Sequence, residues 1–177
     1  MSGADRRLRK SANLVRHRSS ACGRRSPGRR RISSINTYGE PHEATETQLT
    51  WHNVGPWKRM IASRTFYRHN FPAPHIDAVE SFIDYRGPVK KFDDIAALDG
   101  SVIVERTAGE VSPRCHDEQA NLLALNMVND IVTGDKSLEE ARACLCEGVP
   151  RLPAQGTHTV RGKAAFPGWR WDGCRPR

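Results

Sequence analysis

Hydrophobic periodicity in this chain is confined to its middle. Between Trp51 and Arg142 apolar residues recur at the spacings of strands and helices, and on either side of that stretch they do not. Only a chain segment with an apolar face can offset the entropy of ordering its backbone. The sequence therefore predicts one small α+β domain over residues 51–142, with about two strands and four helices. Residues 1–50 read as a disordered basic segment and residues 143–177 as an irregular basic tail, so that disordered tails flank the fold. On this reading, removing residues 1–45 leaves the unfolding temperature nearly unchanged.

The charge distribution follows the same division. Residues 1–50 carry 11 Lys/Arg against 4 Asp/Glu, residues 51–147 carry 11 against 15, and residues 148–177 carry 6 against 1. The formal charge of +8 thus belongs to the flanks, while the domain is mildly acidic. That is a poor footprint for nucleic acid on the folded part. The Arg-rich run from Arg24 to Arg31 has no interleaved aromatic residues on which bases could stack. It reads as a nucleic-acid arm, an organelle transit segment, or translation from a start codon placed too far upstream.

No stretch of about 18 apolar residues occurs, so no membrane span is expected and the protein reads as soluble. Five cysteines, Cys22, Cys115, Cys144, Cys146 and Cys174, form an odd set with no secretory segment before them, which points to a reducing cytoplasmic setting. The pair Cys144 and Cys146 lacks the second pair that a structural zinc site would use.

Within the domain, Trp57 to Tyr67 is bulky, β-leaning and free of Gly and Pro, and predicts a strand. Phe71-Pro72-Ala73-Pro74 makes a rigid turn, because each proline restricts its own φ and the residue before it. After it, Ile76, Val79, Phe82 and Ile83 fall at helical spacing and predict a helix that Gly87-Pro88 ends. A second helix is expected from Val89 to Leu98, stopped by Asp99-Gly100, and a second strand over Ser101–Thr107. The longest helix is expected from Ser112-Pro113 to Gly134, with Leu122, Leu125, Val128 and Val132 in its core stripe. Ser137 and Glu140 have the spacing of a capping box and open a fourth helix.

After Arg142 the text turns abruptly to prolines, glycines, cysteines and tryptophans, just past that start signal. Synonymous codons from Ala143 onward, read one nucleotide later, can encode Tyr, Phe and Leu at helical spacing with charges between them. A shifted reading frame would account for the break, since local and global signals conflict there, and an authentic in-frame tail is the other reading.

The segments Trp51 to Lys58, His69 to Asp77 and Asn129 to Arg142 resemble a family of small uncharacterised bacterial proteins over about half of the chain. The resemblance implies no activity. It implies the same domain limits as the periodicity.

His69, His75 and Asp77 stand across the Pro-rich turn, with His52 upstream and Cys115-His116 further on. Imidazole, thiolate and carboxylate together suit a divalent metal, which is the cofactor such a cluster would hold if the side chains converge. The alternative is that each histidine serves its own turn or cap hydrogen bond. Cys115 before a helix could be an activated thiol, although adjacent His116 would point about 100° away from it on a helix. Arg59, Arg64, Arg68 and Arg86 read as a solvated face. No Walker, G-x-G-x-x-G or H-E-x-x-H pattern occurs.

From sequence, then, the leading function is a small accessory or interaction protein with a protein partner or self-association. A metal- or histidine-assisted enzyme is the alternative, and nucleic-acid binding through the basic arm comes third.

Overall fold

The computed structural model of the protein describes residues 34–148. The expectations for residues 1–33 and 149–177, the basic arm and most of the tail, lie outside the described residues. Ten elements follow a helical segment over 34–38. They are β1 (Glu43–Ala44), β2 (Gln48–Val54), β3 (Trp57–His69), β4 (His75–Asp84), a 3-10 turn (Val89–Lys91), α1 (Phe92–Asp99), β5 (Val102–Glu105), β6 (Glu110–Cys115), α2 (Glu118–Thr133) and α3 (Leu138–Gly148). The strands form one antiparallel sheet in the order β1-β2-β3-β4-β6-β5. Helix α2 packs against β4 and β6, α1 beside β5, and α3 against both α1 and α2.

Six strands replace the two expected. The segment read as a helix after the Pro-rich turn is β4, hydrogen-bonded between β3 and β6. Its period is two: Val79, Ser81 and Ile83 are buried while Glu80 and Phe82 are half exposed. Ser81 hid that alternation, because a polar residue sits on the inward face. Asn121 of α2 satisfies it, its side-chain amide donating to Ser81 Oγ at 2.9 Å and to the Val79 carbonyl at 3.1 Å. A buried polar group of this kind persists only when paired.

The expected start of the long helix at Ser112-Pro113 is instead the middle of β6. Pro113 pairs with Val102 inside an interior strand, a position that its missing N–H normally disfavours. The true N-cap of α2 is Asp117, whose carboxylate accepts from the Ala120 N–H at 3.0 Å. Gly134 then ends the helix at φ 82°, the left-handed conformation that glycine adopts without penalty. The stop of α1 at Gly100 and the Ser137/Glu140 capping box are present as the sequence predicts.

The domain is also wider than 51–142. Ile35 and Leu49 before it, and Cys144 and Leu145 after it, are buried in the same core as Trp51, Met60, Val79, Leu123, Met127 and Ile131. Each fully buried apolar side chain of this size contributes roughly 1.5–3 kcal/mol. Tyr38 lies against Gly55 at the β2–β3 turn, where φ is 54° and an added Cβ would stand 2.8 Å from the tyrosine oxygen. Contacts of such sequence separation leave no periodic trace, which is why 34–50 read as unstructured. Among the described residues no helix is long and apolar enough to cross a membrane.

Candidate metal centre

Strand register brings the candidate residues together. His69 at the end of β3 lies directly opposite His75 at the start of β4, and Tyr67 lies opposite Asp77. Antiparallel partners share a face, and residues two apart on a strand do too, so His69, His75 and Asp77 project to one side. The register that allows this is not the one running through the rest of the pair. Ala62 lies opposite Val79, yet Tyr67, five residues on, lies opposite Asp77, only two residues back. An irregularity between Ala62 and Tyr67 absorbs the difference, as bulges near functional sites do.

Cys115, the last residue of β6, lies opposite Val79 and therefore faces the same side one row further along. His116 follows in the link to α2. Around this corner, Arg142 of α3 donates to the carbonyls of Ala97 and Leu98 at the end of α1, and its guanidinium lies 4.0 Å above the Phe71 ring. That contact ties the Pro-rich loop, whose Phe71–Pro72 bond is cis, to the helical layer.

The donor atoms are close. Those of His69, His75 and Asp77 all lie within 4.8 Å of one another, and so do those of His75, Cys115 and His116. His75 Nε2 is 3.0 Å from Asp77 Oδ1 and 3.3 Å from Cys115 Sγ. His69 Nδ1 is 3.4 Å from Asp77 Oδ2, and His116 Nδ1 is 3.3 Å from Cys115 Sγ. The His75 and Asp77 side chains are 9% and 3% exposed, so solvent does little to satisfy them.

The tautomer of His75 follows from its other nitrogen. Nδ1 lies 2.7 Å from the Ala73 carbonyl oxygen, which can only accept, so Nδ1 carries the proton. In neutral His75, Nε2 then presents a lone pair toward the Asp77 carboxylate, one acceptor facing another. A proton or a cation is needed between them. Burial works against charging His75, but the Asp77 carboxylate and the Ala73 carbonyl outweigh it, and the imidazole value is raised from 6.5.

Two polar atoms of the cluster have no hydrogen-bond partner, His69 Nδ1 and Asp77 Oδ1. His69 Nδ1 lies 3.4 Å from Asp77 Oδ2, and Asp77 Oδ1 lies 3.0 Å from His75 Nε2, a contact that becomes a hydrogen bond only when His75 carries its second proton. A buried polar atom left in that state costs about 1–3 kcal/mol.

Cys115 is not an activated thiol. It closes a strand rather than opening a helix, and burial, with Asp77, Asp99 and Asp117 nearby, holds its thiol well above the usual value. Asp99 at the end of α1 was not foreseen in this cluster, since only packing brings it there. His52 lies elsewhere, on β2, with its Nε2 2.7 Å from Glu43 Oε1. Of the C-x-C pair, Cys144 is in the core and Cys146 is exposed, and neither joins a described donor group. Arg59 is less solvated than expected, stacked 3.9 Å over Phe82 and 3.4 Å from Glu110.

No protein-family model, no curated protein and no solved structure matches this chain. The chemistry of the cluster is therefore read from its geometry.

Proposed function

We propose that this chain is a metal-binding protein that holds one divalent transition-metal ion through His69, His75 and Asp77. The observation that carries the proposal is the pair of buried, unpartnered atoms, His69 Nδ1 and Asp77 Oδ1, beside a His75 Nε2 whose tautomer presents a lone pair to the same point. A cation there would satisfy all three at once. Asp77, Asp99 and Asp117 all bear on Cys115 electrostatically, which makes the corner favourable to positive charge. Two imidazoles exclude magnesium and calcium as preferred occupants, since those ions take oxygen ligands. Zinc, iron(II), cobalt(II) and nickel(II) fit the donor types.

Calorimetric titration of the metal-free full chain with zinc or cobalt(II) tests this. One saturable site per chain is expected, lost in His75→Ala and strongly weakened in Asp77→Asn, with the far-ultraviolet spectrum of both variants unchanged. Absence of saturable binding by the wild-type chain would refute the proposal.

A further inference from the structure

We infer that His75, Cys115 and His116 form a second ion position, a trigonal site of two imidazoles and one thiolate that takes a soft monovalent ion of the copper(I) class. It draws on His75 but on neither His69 nor Asp77, so it does not depend on the divalent reading above. The donor atoms of the three residues lie within 4.8 Å of one another. His75 Nε2 and His116 Nδ1 each stand 3.3 Å from Cys115 Sγ. With metal bonds of about 2.0 Å to nitrogen and about 2.3 Å to sulfur, a planar trigonal site separates nitrogen from sulfur by about 3.7 Å, so each of these edges has only about 0.4 Å to open. Adjacent residues diverge by about 100° on a helix, but His116 lies in the bend after β6, which turns its ring back to the sulfur.

The tautomers carry the inference. His75 Nδ1 donates to the Ala73 carbonyl at 2.7 Å, and His116 Nε2 lies 3.4 Å from Asp117 Oδ2, an oxygen that can only accept. The ring protons are thus on the far nitrogens, and both near nitrogens turn a lone pair to the same sulfur. Cys115 has one S–H proton and offers it to one of them at a time, so the other lone pair faces sulfur with no proton between. A cation among the three satisfies all of them. Each ring is also held on its far side by an oxygen, the support that metal-bound imidazoles ordinarily have.

Charge and softness choose the ion. Cys115 is 6% exposed, a place where net charge is poorly solvated. On binding, the Cys115 S–H bond breaks, the sulfur–copper bond forms and the proton leaves to water. A monovalent ion with one thiolate and two neutral imidazoles is then neutral overall. Thiolate sulfur selects copper(I), and two imidazoles with one cysteine in a trigonal arrangement are a copper donor set. His75 has a single lone pair to give, because Nδ1 is engaged by Ala73, so copper(I) beside Cys115 and a divalent ion beside Asp77 exclude each other.

Anaerobic titration of the full chain with copper(I), buffered by a chromogenic chelator, tests this in a background with Cys22, Cys146 and Cys174 changed to serine, so that thiols outside the cluster do not contribute. One copper(I) per chain is expected, with a thiolate-to-copper ultraviolet band, and bound copper(I) should block zinc uptake. Affinity should fall by more than about 100-fold in Cys115→Ser and in His116→Ala, since losing a ligand costs more than the roughly 10–100-fold lost with its hydrogen-bonded support. His69→Ala should keep copper(I). His116 is only half-buried, so His116→Ala carries the test if Cys115→Ser fails to fold. Complete loss of copper(I) to the chelator, uptake that survives His116→Ala, loss in His69→Ala, or zinc bound alongside copper(I) would each overturn the inference. Zinc uptake without copper(I) uptake sinks it and leaves the divalent reading standing, whereas copper(I) uptake without zinc uptake does the reverse.

Discussion

Replacing Glu118 by leucine should destabilise the fold by about 4 kcal/mol, and the structure says why. Glu118 is the first residue of α2, and its Oε1 accepts from Trp57 Nε1 at 2.8 Å and from the Tyr38 hydroxyl. Trp57 is 1% exposed, so leucine would strand its indole N–H where water cannot reach, at a cost of roughly 1–3 kcal/mol toward the upper end. Tyr38 is only half-buried, and water can replace part of its lost partner, so its share is nearer 1 kcal/mol. Removing a carboxylate from the positive end of a helix adds about 0.3–1 kcal/mol. Burial and then Glu118 raise the Tyr38 hydroxyl above its ordinary value, so it remains a donor throughout the accessible alkaline range. Glu118→Gln keeps one acceptor oxygen and should cost only about 1 kcal/mol. Urea unfolding of the full chain, followed by tryptophan fluorescence, measures these values, provided that the dependence on urea is common to all variants. Tyr38→Phe combined with Glu118→Leu should cost less than the two single changes added together. If Glu118→Leu unfolds within about 0.5 kcal/mol of the wild type, a threshold set by ordinary surface substitutions, the network does not hold the 34–38 segment to the domain.

Three further outcomes are expected. Leu125→Asp, which places an unpaired charge in the buried stripe of α2, should yield no cooperatively melting protein; a soluble variant with a sharp transition would show that this face is wet. Deletion of residues 1–45 should lower the unfolding temperature by several degrees, because Ile35, Tyr38 and β1 are lost from the packed domain; an unchanged melting curve would restore the sequence-based limit at Trp51. His75 has a folded-state value raised above its ordinary 6.5, so in the metal-free chain its stabilisation is complete below about pH 6.5 and is lost as pH rises through the folded value. The stability difference between wild type and His75→Gln, measured by melting without metal, should therefore shrink from about pH 6 to about pH 9, and a difference that grows would contradict the assignment.

What the sequence determined by itself is local. The stop at Asp99-Gly100, the left-handed cap at Gly134, the reciprocal Ser137/Glu140 cap and the β-branched run of β5 depend on a few neighbouring residues, and their physics is complete within a turn or two of chain. The set of donor residues was legible for the same reason, since residue type alone says what an imidazole, thiol or carboxylate can bind. Tertiary structure decided the rest. Segment 76–83 carries apolar residues at both helical and alternate spacing, and hydrogen bonds from β3 and β6 selected the strand, with Asn121 satisfying the serine that had masked the alternation. Pro113 is tolerated inside β6 and Ile35 is buried only because residues far along the chain supply their surroundings. The convergence of His69, His75 and Asp77 depends on a register offset after Ala62, and the approach of Cys115 to His75 depends on β6 lying beside β4; sequence spacing encodes neither, because strand pairing joins positions whose separation along the chain is arbitrary.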